Sequence, residues 1–143
     1  MTTSGTPRIR VVAAVIAKGD KYLITQRRKT AVLAGLWEFP GGRVEAGETD
    51  EEALRRELLE RLGARIEVHK PIAKRTHQYE GYGVDLILYD ARFEPSATGE
   101  AEPALQTLRV ADFRWVRSDE FERYPFPAAD QATTDLLLGV KRS

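Results

Sequence analysis

Residues 41–64, GGRVEAGETDEEALRRELLERLGA, contain the most informative pattern in the sequence. It contains a glycine pair, a threonine followed three residues later by a glutamate, and leucines that recur every four residues. Thr49 and Glu52 have the spacing of a capping box, in which each side chain accepts a hydrogen bond from a backbone N–H at the start of a helix. The pattern therefore predicts a helix that begins near Asp50 and ends near Leu62.

The buried face of this helix is an apolar stripe of leucines, and Gly63 can adopt the left-handed conformation that ends a helix. At about 100° per residue, one border of the stripe carries charged side chains, where the buried face meets solvent. We expect a cleft along this border, close to Gly41 and Gly42, whose backbone can approach a ligand or a metal because no Cβ intervenes. The residues of the border are Asp50, Glu57 and Arg61, with Glu60 on the adjacent side.

A charged surface helix is a simpler interpretation of the same residues. Pairs of an acid and an arginine four residues apart each stabilise an exposed helix by roughly 0.2–0.5 kcal/mol. The fixed spacing from Gly42 to Gly63 favours a functional motif instead, because so many positions seldom agree by chance. The pairs are Glu51–Arg55, Glu52–Arg56 and Glu57–Arg61.

This spacing resembles the Nudix box, G-x5-E-x7-R-E-U-x-E-E-x-G-U, where U is an aliphatic residue. LITQRR at 23–28 and GLWEFPGG at 35–42 also resemble the strand and entry loop of the subgroup that hydrolyses nucleoside triphosphates. By this resemblance, which covers most of the chain, the protein is identified as a MutT-like member of the Nudix hydrolase family with a degenerate box. The box is matched by Gly42, Glu48, Arg56, Glu57, Leu58, Glu60 and Gly63, whereas Arg61 replaces its second acid and Ala64 its final aliphatic residue.

The resemblance implies an α/β fold, namely a Nudix-type α/β/α sandwich with a mixed sheet. The composition agrees with a single domain over 1–143, in which 1–7 form a flexible tail, because 143 residues with 42% hydrophobic side chains suffice for one core. Periodicity and turn residues predict the remaining elements. These are strands Arg10–Ala17 and Lys21–Gln26 joined at Gly19-Asp20, strands 71–79 and 84–93, a polar loop 95–103, a strand Phe113–Val116, a turn capped by Ser118 and a closing helix 129–140.

The resemblance also implies a divalent cation, Mg²⁺ or Mn²⁺, held by oxygen ligands. Such an ion polarises phosphoryl oxygens and lowers the pKa of bound water, which hydrolysis of a phosphoanhydride requires. By resemblance, Glu57 is the first ligand, Glu60 the second and the carbonyl of Gly41 the third. Arg56 is by resemblance an orienting residue that pairs with a carboxylate such as Glu48, and we group it with Glu57 and Glu60 as catalytic.

Two arginines stand where the family has metal-binding acids. Arg61 cannot bind a cation, and its fixed positive charge repels one. Arg109 lies six residues ahead of Trp115, where the family usually has a loop acid. Other acids of this region either reach the site or form a solvated loop face: Glu100, Glu102 and Asp112.

Candidate substrate contacts follow the second strand and the late proline-rich turn. Arg27 or Arg28 suits a phosphate through the planar fork of donors, or is simply a polar residue at a strand end. Asp130 resembles the position from which related enzymes read a base edge, and its alternative role is the N-cap of the last helix. Three aromatic residues can stack on a base or belong to the core: Trp37, Phe39 and Tyr82.

Charge and composition restrict the class of partner. The 22 basic and 22 acidic side chains cancel, and no basic stripe is interleaved with aromatics, so we expect a small nucleotide rather than polymeric nucleic acid. No apolar run is long enough to span a bilayer, and the start does not resemble a signal peptide. We therefore expect no membrane contact and a cytoplasmic location. The oligomeric state stays open.

Two hypotheses of different class remain. The first is Mg²⁺-dependent hydrolysis of a nucleoside triphosphate, including oxidised or modified ones, to nucleoside monophosphate and pyrophosphate. The second is a Nudix-fold nucleotide-binding protein with weak or lost hydrolase activity, because Arg61 and Arg109 replace acids. The retained Glu57 and Glu60 favour the first hypothesis, since two carboxylates can still hold one ion.

Overall fold

The structure, a computed structural model, describes residues 7–30, 34–95 and 103–126. The predicted closing helix, Asp130, Glu100, Glu102 and the predicted tail up to residue 6 lie outside these ranges. Within them the elements are β1 (Arg8–Lys18), β2 (Lys21–Gln26), β3 (Trp37–Glu38), β4 (Gly41–Arg43), α1 (Asp50–Leu62), β5 (Ile66–Tyr79), β6 (Tyr82–Phe93), β7 (Asp112–Arg117) and a 3₁₀ helix (Ser118–Arg123).

The strand β1 organises a mixed sheet. It runs parallel to β6, in register from Arg8 opposite Gly83 to Ile16 opposite Ala91, and antiparallel to β4 on its other side. The last two residues of β1 pair with β2, which in turn pairs with β3 and β7. The hairpin partner of β6 is β5. The predicted α/β class with a mixed sheet is thus confirmed.

Both faces of β1 are buried, which explains its almost continuous apolar sequence. One face carries Val12, Ala14 and Ile16 and packs against the leucine stripe of α1. The other face carries Ala13 and Val15 and packs in a second cluster that includes aromatic residues of β3 and of the 3₁₀ helix. The sheet therefore separates two cores.

The helix α1 begins and ends where the sequence predicts. The hydroxyl of Thr49 accepts from the N–H of Glu52 at 3.1 Å, and the carboxylate of Glu52 accepts from the N–H of Thr49 at 2.9 Å. Gly63 ends the helix with φ 69°. Both capping predictions are confirmed.

The segment 103–110 docks on the C-terminal end of α1. The N–H of Gln106 donates to the carbonyl of Leu62 at 2.9 Å, and the N–H groups of Leu108 and Arg109 donate to the carbonyl of Arg61 at 3.0 and 3.2 Å. These bonds satisfy carbonyls that a helix end leaves without partners. The backbone of Arg61 is thereby held in place.

β1 and β7 extend one or two residues beyond their predicted ends, and the predicted starts of β5 and β6 are also wrong. β5 begins at Ile66 rather than at 71. Pro71 has no N–H to donate and so interrupts the strand pattern in the sequence, but the strand continues through it with a shift of its register against β6. The turn that follows is the two-residue Glu80-Gly81, so β6 begins at Tyr82.

Ser118 is also not a cap. It is the first residue of the 3₁₀ helix, and the carboxylate of Glu120 accepts from the N–H of Arg117 at 3.0 Å instead. None of the helices in the described ranges is long and apolar enough to cross a membrane.

Candidate active site

A cavity of about 720 Å³ lies over the face of β1 and β6 that is opposite to α1. Its volume is within the usual range for small-molecule sites, roughly 300–1,000 Å³. Glu57 and Arg61 of α1 reach it beside the glycine pair of β4. Apart from aliphatic residues of β1 and β6, the lining consists of Arg27, Glu38, Phe39, Gly41, Gly42, Arg43, Glu45, Glu57, Arg61, Tyr79 and Tyr82.

Glu57 is a buried carboxylate, only 7% exposed. Its Oε1 accepts from Nη1 of Arg56 at 2.9 Å, and its Oε2 accepts from Nε of Arg61 at 2.5 Å. A Cβ at Gly42 would overlap this carboxylate, so only glycine leaves room for it. Because a buried charge is costly unless it is paired, the two guanidinium groups compensate for the burial of this carboxylate.

Arg56 connects Glu57 to the loop that precedes α1. Its Nε and Nη2 bind the two carboxylate oxygens of Glu48 at 2.7 and 2.9 Å, and Nη2 also donates to the carbonyl of Arg43 at 3.0 Å. The hydrogen bond from Arg56 lowers the pKa of Glu48 to about 2. The pairing of Arg56 with Glu48 that the sequence predicted is present.

Glu60 is more exposed than Glu57 and does not line the cavity. Its side chain is 36% exposed, and its Oε2 lies 3.3 Å from Nη1 of Arg56 and 3.4 Å from Nη1 of Arg109. Thus Arg61 pairs with Glu57 and Arg109 pairs with Glu60. The two arginines that stand in place of expected acids, Arg61 in the box pattern and Arg109 in the later loop, each neutralise one of the acids that remain.

Asp50 has a structural role. Its carboxylate receives two hydrogen bonds from Arg10, at 2.8 and 2.7 Å, and one from the hydroxyl of Tyr89 at 2.6 Å. These contacts tie the start of α1 to β1 and β6. The charged border of the helix therefore divides into a structural half at Asp50 and a cavity half at Glu57 and Arg61.

The donors around the cavity fit a hard divalent cation only in part. Hard cations prefer oxygen ligands, which Glu57 and the carbonyl of Gly41 offer at the cavity wall. Glu60 lies outside the wall but shares Nη1 of Arg56 with Glu57. The described part of the chain contains no group of three or more acidic or histidine side chains placed to hold a metal. The set therefore fits one ion that completes its coordination with water and substrate oxygens, rather than a cage made by the protein alone.

Arg27 lines the cavity, whereas Arg28 is exposed away from it. Nη1 of Arg27 donates to both oxygens of Glu38, at 3.0 and 3.3 Å. Sequence reasoning missed Glu38, an acid between two large apolar residues. Its side chain is only 16% exposed, and burial raises its pKa although Arg27 and Arg61 act in the opposite direction.

The aromatic candidates differ in exposure. The ring of Phe39, a residue 2% exposed, packs against Phe121 and Phe126, and that of Trp37 packs against Tyr124. Phe39 thus forms the floor between the cavity and the second core, and its contact with substrate stays a prediction.

Tyr82 lines the cavity and stacks on Tyr79, with ring centroids 5.2 Å apart and planes at 20°. Sequence reasoning missed Tyr79, which pairs with Tyr82 across the hairpin. Among the loop acids, Asp112 binds Arg114 and the N–H of Phe113 and does not line the cavity.

The chain was also compared with known proteins. A profile described as the NUDIX domain matches residues 11–136. The CTP pyrophosphohydrolase of Escherichia coli is 38% identical over 133 residues, which make up 93% of each chain. A putative 8-oxo-dGTP diphosphatase 2 of Mycobacterium tuberculosis is 52% identical over 56 residues, 39% of this chain and 40% of that protein.

Solved structures share the architecture. The solution structure of the E. coli ORF135 protein superposes with a TM-score of 0.77 at 29% identity and covers 97% of this chain and 94% of its own. The MutT protein of Methanosarcina mazei superposes with a TM-score of 0.80 at 20% identity, over 96% of this chain and 97% of its own, which shows a common fold. With a domain profile over most of its length and a relative aligned along nearly all of it, the chain belongs to the Nudix hydrolase family and is MutT-like.

Proposed function

We propose that the protein hydrolyses a nucleoside triphosphate, including oxidised or modified ones, to nucleoside monophosphate and pyrophosphate with Mg²⁺ or Mn²⁺. The observation that carries this proposal is that one cavity brings together the groups that a nucleotide and a cation require. It is lined by the buried carboxylate of Glu57, the glycine pair of β4, the arginines Arg27 and Arg61, and the tyrosine pair. The names of the relatives, a CTP pyrophosphohydrolase and 8-oxo-dGTP diphosphatases, support it.

Nudix hydrolases generally use divalent metal ions. We assign Glu57, Glu60 and the carbonyl of Gly41 as the residues that would hold such an ion. Once bound, the ion would supply charge neutralisation of the phosphates and activation of water. Arg56 orients the Glu57 carboxylate through one hydrogen bond and is itself fixed by Glu48.

The rest of the cavity suits the rest of a nucleotide. Arg27 offers a guanidinium for a phosphate, and the stacked pair of Tyr79 and Tyr82 offers an aromatic face for a base. The roles of Phe39 and Asp130 in substrate binding stay predictions from the sequence, as does the cytoplasmic location.

The experiment is a screen for pyrophosphate release over normal and oxidised nucleoside triphosphates, with Mg²⁺ and with Mn²⁺. CTP and 8-oxo-dGTP are the first substrates to include, since relatives carry these names. We expect metal-dependent release with at least one nucleotide and its loss in Glu57→Gln. Absence of release with every nucleotide and both metals would overturn the proposal.

A nucleotide-binding protein with weak or lost hydrolysis is the second candidate. The observation in its favour is that both oxygens of Glu57 and one oxygen of Glu60 are engaged by arginines. A cation must displace or share these contacts. Nucleotide binding by calorimetry without pyrophosphate release in the same screen would select this candidate.

A further inference from the structure

Two pairs of an arginine and an acid line the same cavity. One is Arg27 with Glu38, and the other is Arg61 with Glu57. Arg61 also acts electrostatically on Glu38, since its positive charge opposes the rise in the pKa of that carboxyl. The guanidinium groups of Arg27 and Arg61 therefore both interact electrostatically with the carboxylate of Glu38, and all three residues line the cavity.

The guanidinium of Arg61 is only partly used by the protein. Its Nε donates to Glu57, but neither Nη1 nor Nη2 makes a hydrogen bond within the ranges that the structure describes. Arg56 differs, because its Nε, Nη1 and Nη2 all have acceptors. A guanidinium has five N–H donors, so four remain on Arg61 at the cavity wall.

We propose that Arg61 binds a phosphoryl group of the substrate directly, alongside Arg27, and that it does so without a metal ion. This inference rests on the proposed function insofar as the ligand is a nucleotide. The planar fork of an arginine matches the oxygens of a phosphate, and such charge-assisted hydrogen bonds are among the strong ones. Arg61 thus supplies part of the positive charge that a phosphate chain requires.

Phosphate binding by Arg61 should weaken the ion pair between Arg61 and Glu57. A phosphate that attracts the guanidinium of Arg61 competes with Oε2 of Glu57, which is the oxygen now bound to Nε. Binding of the phosphate therefore releases a carboxylate oxygen beside the glycine pair. Because coupling of binding free energies is reciprocal, nucleotide and divalent cation should each tighten the binding of the other.

The test is calorimetric binding of CTP and of inorganic pyrophosphate, which has no base, to the full chain in EDTA. We expect Arg61→Gln to weaken the binding of both probes at least tenfold. Arg55→Gln is the matched control, because it removes the same charge from an exposed position of the same helix, and we expect less than a twofold change. No binding of either probe to the unmodified chain, or an equal effect of both variants, would overturn the inference.

Direct phosphate binding by Arg61 must be distinguished from a role in which Arg61 only neutralises Glu57. Arg61→Gln alone does not separate them, because it also leaves the charge of Glu57 less compensated. The comparison is therefore repeated in the Glu57→Gln background. If Arg61 contacts the phosphate, Arg61→Gln still weakens pyrophosphate binding at least tenfold there. If Arg61 only neutralises Glu57, its removal has no effect in that background and the inference fails.

Failure of this inference and failure of the proposed function give different results. Pyrophosphate release with metal but no dependence of metal-free binding on Arg61 rejects the inference and keeps the hydrolase. Binding that depends on Arg61 without any pyrophosphate release supports the inference and rejects hydrolysis.

Discussion

Nε of Arg61 lies 2.5 Å from Oε2 of Glu57, one helical turn away on the same wall of the cavity. Exposed pairs of this kind contribute little to stability. Here the acid is almost fully buried, so the arginine neutralises a charge that has few other partners. The pair places a fixed positive charge at an oxygen that we assign to cation binding.

The first prediction concerns Glu57→Gln, which removes a ligand charge while the amide oxygen can still accept from Arg56. We expect metal-dependent turnover to fall at least about 100-fold while the fold is kept. Pyrophosphate release and thermal unfolding measure the two effects. Glu51→Gln, at an exposed position of the same helix, is the control and should change neither. Full activity of Glu57→Gln would move the cation site elsewhere.

The second prediction concerns Arg61→Glu, which changes the local charge by two units next to Glu57. At an effective dielectric constant near 20, one charge about 4 Å away contributes roughly 4 kcal/mol, so even a screened fraction should tighten Mg²⁺ or Mn²⁺ binding at least tenfold. Without metal, the loss of the Arg61–Glu57 pair and the repulsion between two neighbouring carboxylates, of which Glu57 keeps only Arg56 as a partner, should lower the free energy of unfolding by about 1–3 kcal/mol.

Calorimetric titration of both cations into the variant and the unmodified chain measures this gain. Metal addition should restore the lost stability in a thermal scan. If cation affinity does not rise, Arg61 is not next to the cation, and the assignment of this helix border as the active site must be withdrawn.

The third prediction compares the two glycines of β4. In Gly42→Ala the new methyl group overlaps the carboxylate of Glu57, which is the end of a side chain and can move. In Gly41→Ala it overlaps the carbonyl oxygen of Val12 and comes within 2.7 Å of the Cα of Ala13, which are backbone atoms. We therefore expect Gly42→Ala to lower turnover at least tenfold at nearly unchanged Tm.

Gly41→Ala should instead lower Tm by several degrees, because backbone of the central strand has to shift. The two melting curves and the two rates of pyrophosphate release separate these outcomes. Normal turnover of Gly42→Ala would mean that the present position of the Glu57 carboxylate is not required.

The fourth prediction concerns pH. The pKa of Glu48 falls from 4.5 to about 2 in the folded protein, mainly through its hydrogen bond from Arg56. A lowered pKa contributes stability that is fully present above the unfolded value and is lost as the pH falls through the folded value. The stability difference between the unmodified chain and Glu48→Gln should therefore be constant above about pH 5 and shrink towards pH 2.

Thermal unfolding of both proteins from pH 7 to pH 2 gives this difference. Asp85, whose pKa Arg8 also lowers to about 2, is present in both proteins and cancels. A difference that stays constant down to about pH 2 would exclude titration of Glu48 as its source.

Local signals account for the part of the fold that the sequence predicted. The limits of α1 follow from Thr49, Glu52 and Gly63, whose roles depend on neighbours within one turn. The short strands β3 and β4 were not predicted, because only pairing with distant parts of β1 and β2 makes them strands. The first residues of β5 were not predicted because Pro71 interrupts the local strand pattern. The sheet accommodates this proline through a register shift between β5 and β6.

The same distinction applies to the site. The box spacing predicts Glu57 as a site residue, and the structure places it in the cavity wall. The same spacing predicts the pairing of Arg56 with Glu48, which is present. Glu38 was missed because its burial and its partner Arg27 result from strand pairing. The contact of Arg109 with Glu60 depends on the register of a loop 49 residues away, which no periodicity in the sequence specifies.

The two amide hydrogen bonds to the carbonyl of Arg61 determine how this residue can respond to a ligand. With its backbone fixed, a change of partner at Arg61 is a rotation of side-chain torsions alone. Such rotations take picoseconds to nanoseconds at exposed positions. Even if they are several orders of magnitude slower for the Arg61 side chain, which is 25% exposed, they remain faster than enzyme turnover, which typically takes milliseconds to a second. The exchange should therefore never limit the rate, and in NMR spectra pyrophosphate should shift the Nε–H signal of Arg61 while the backbone amides of 61, 108 and 109 stay nearly unchanged.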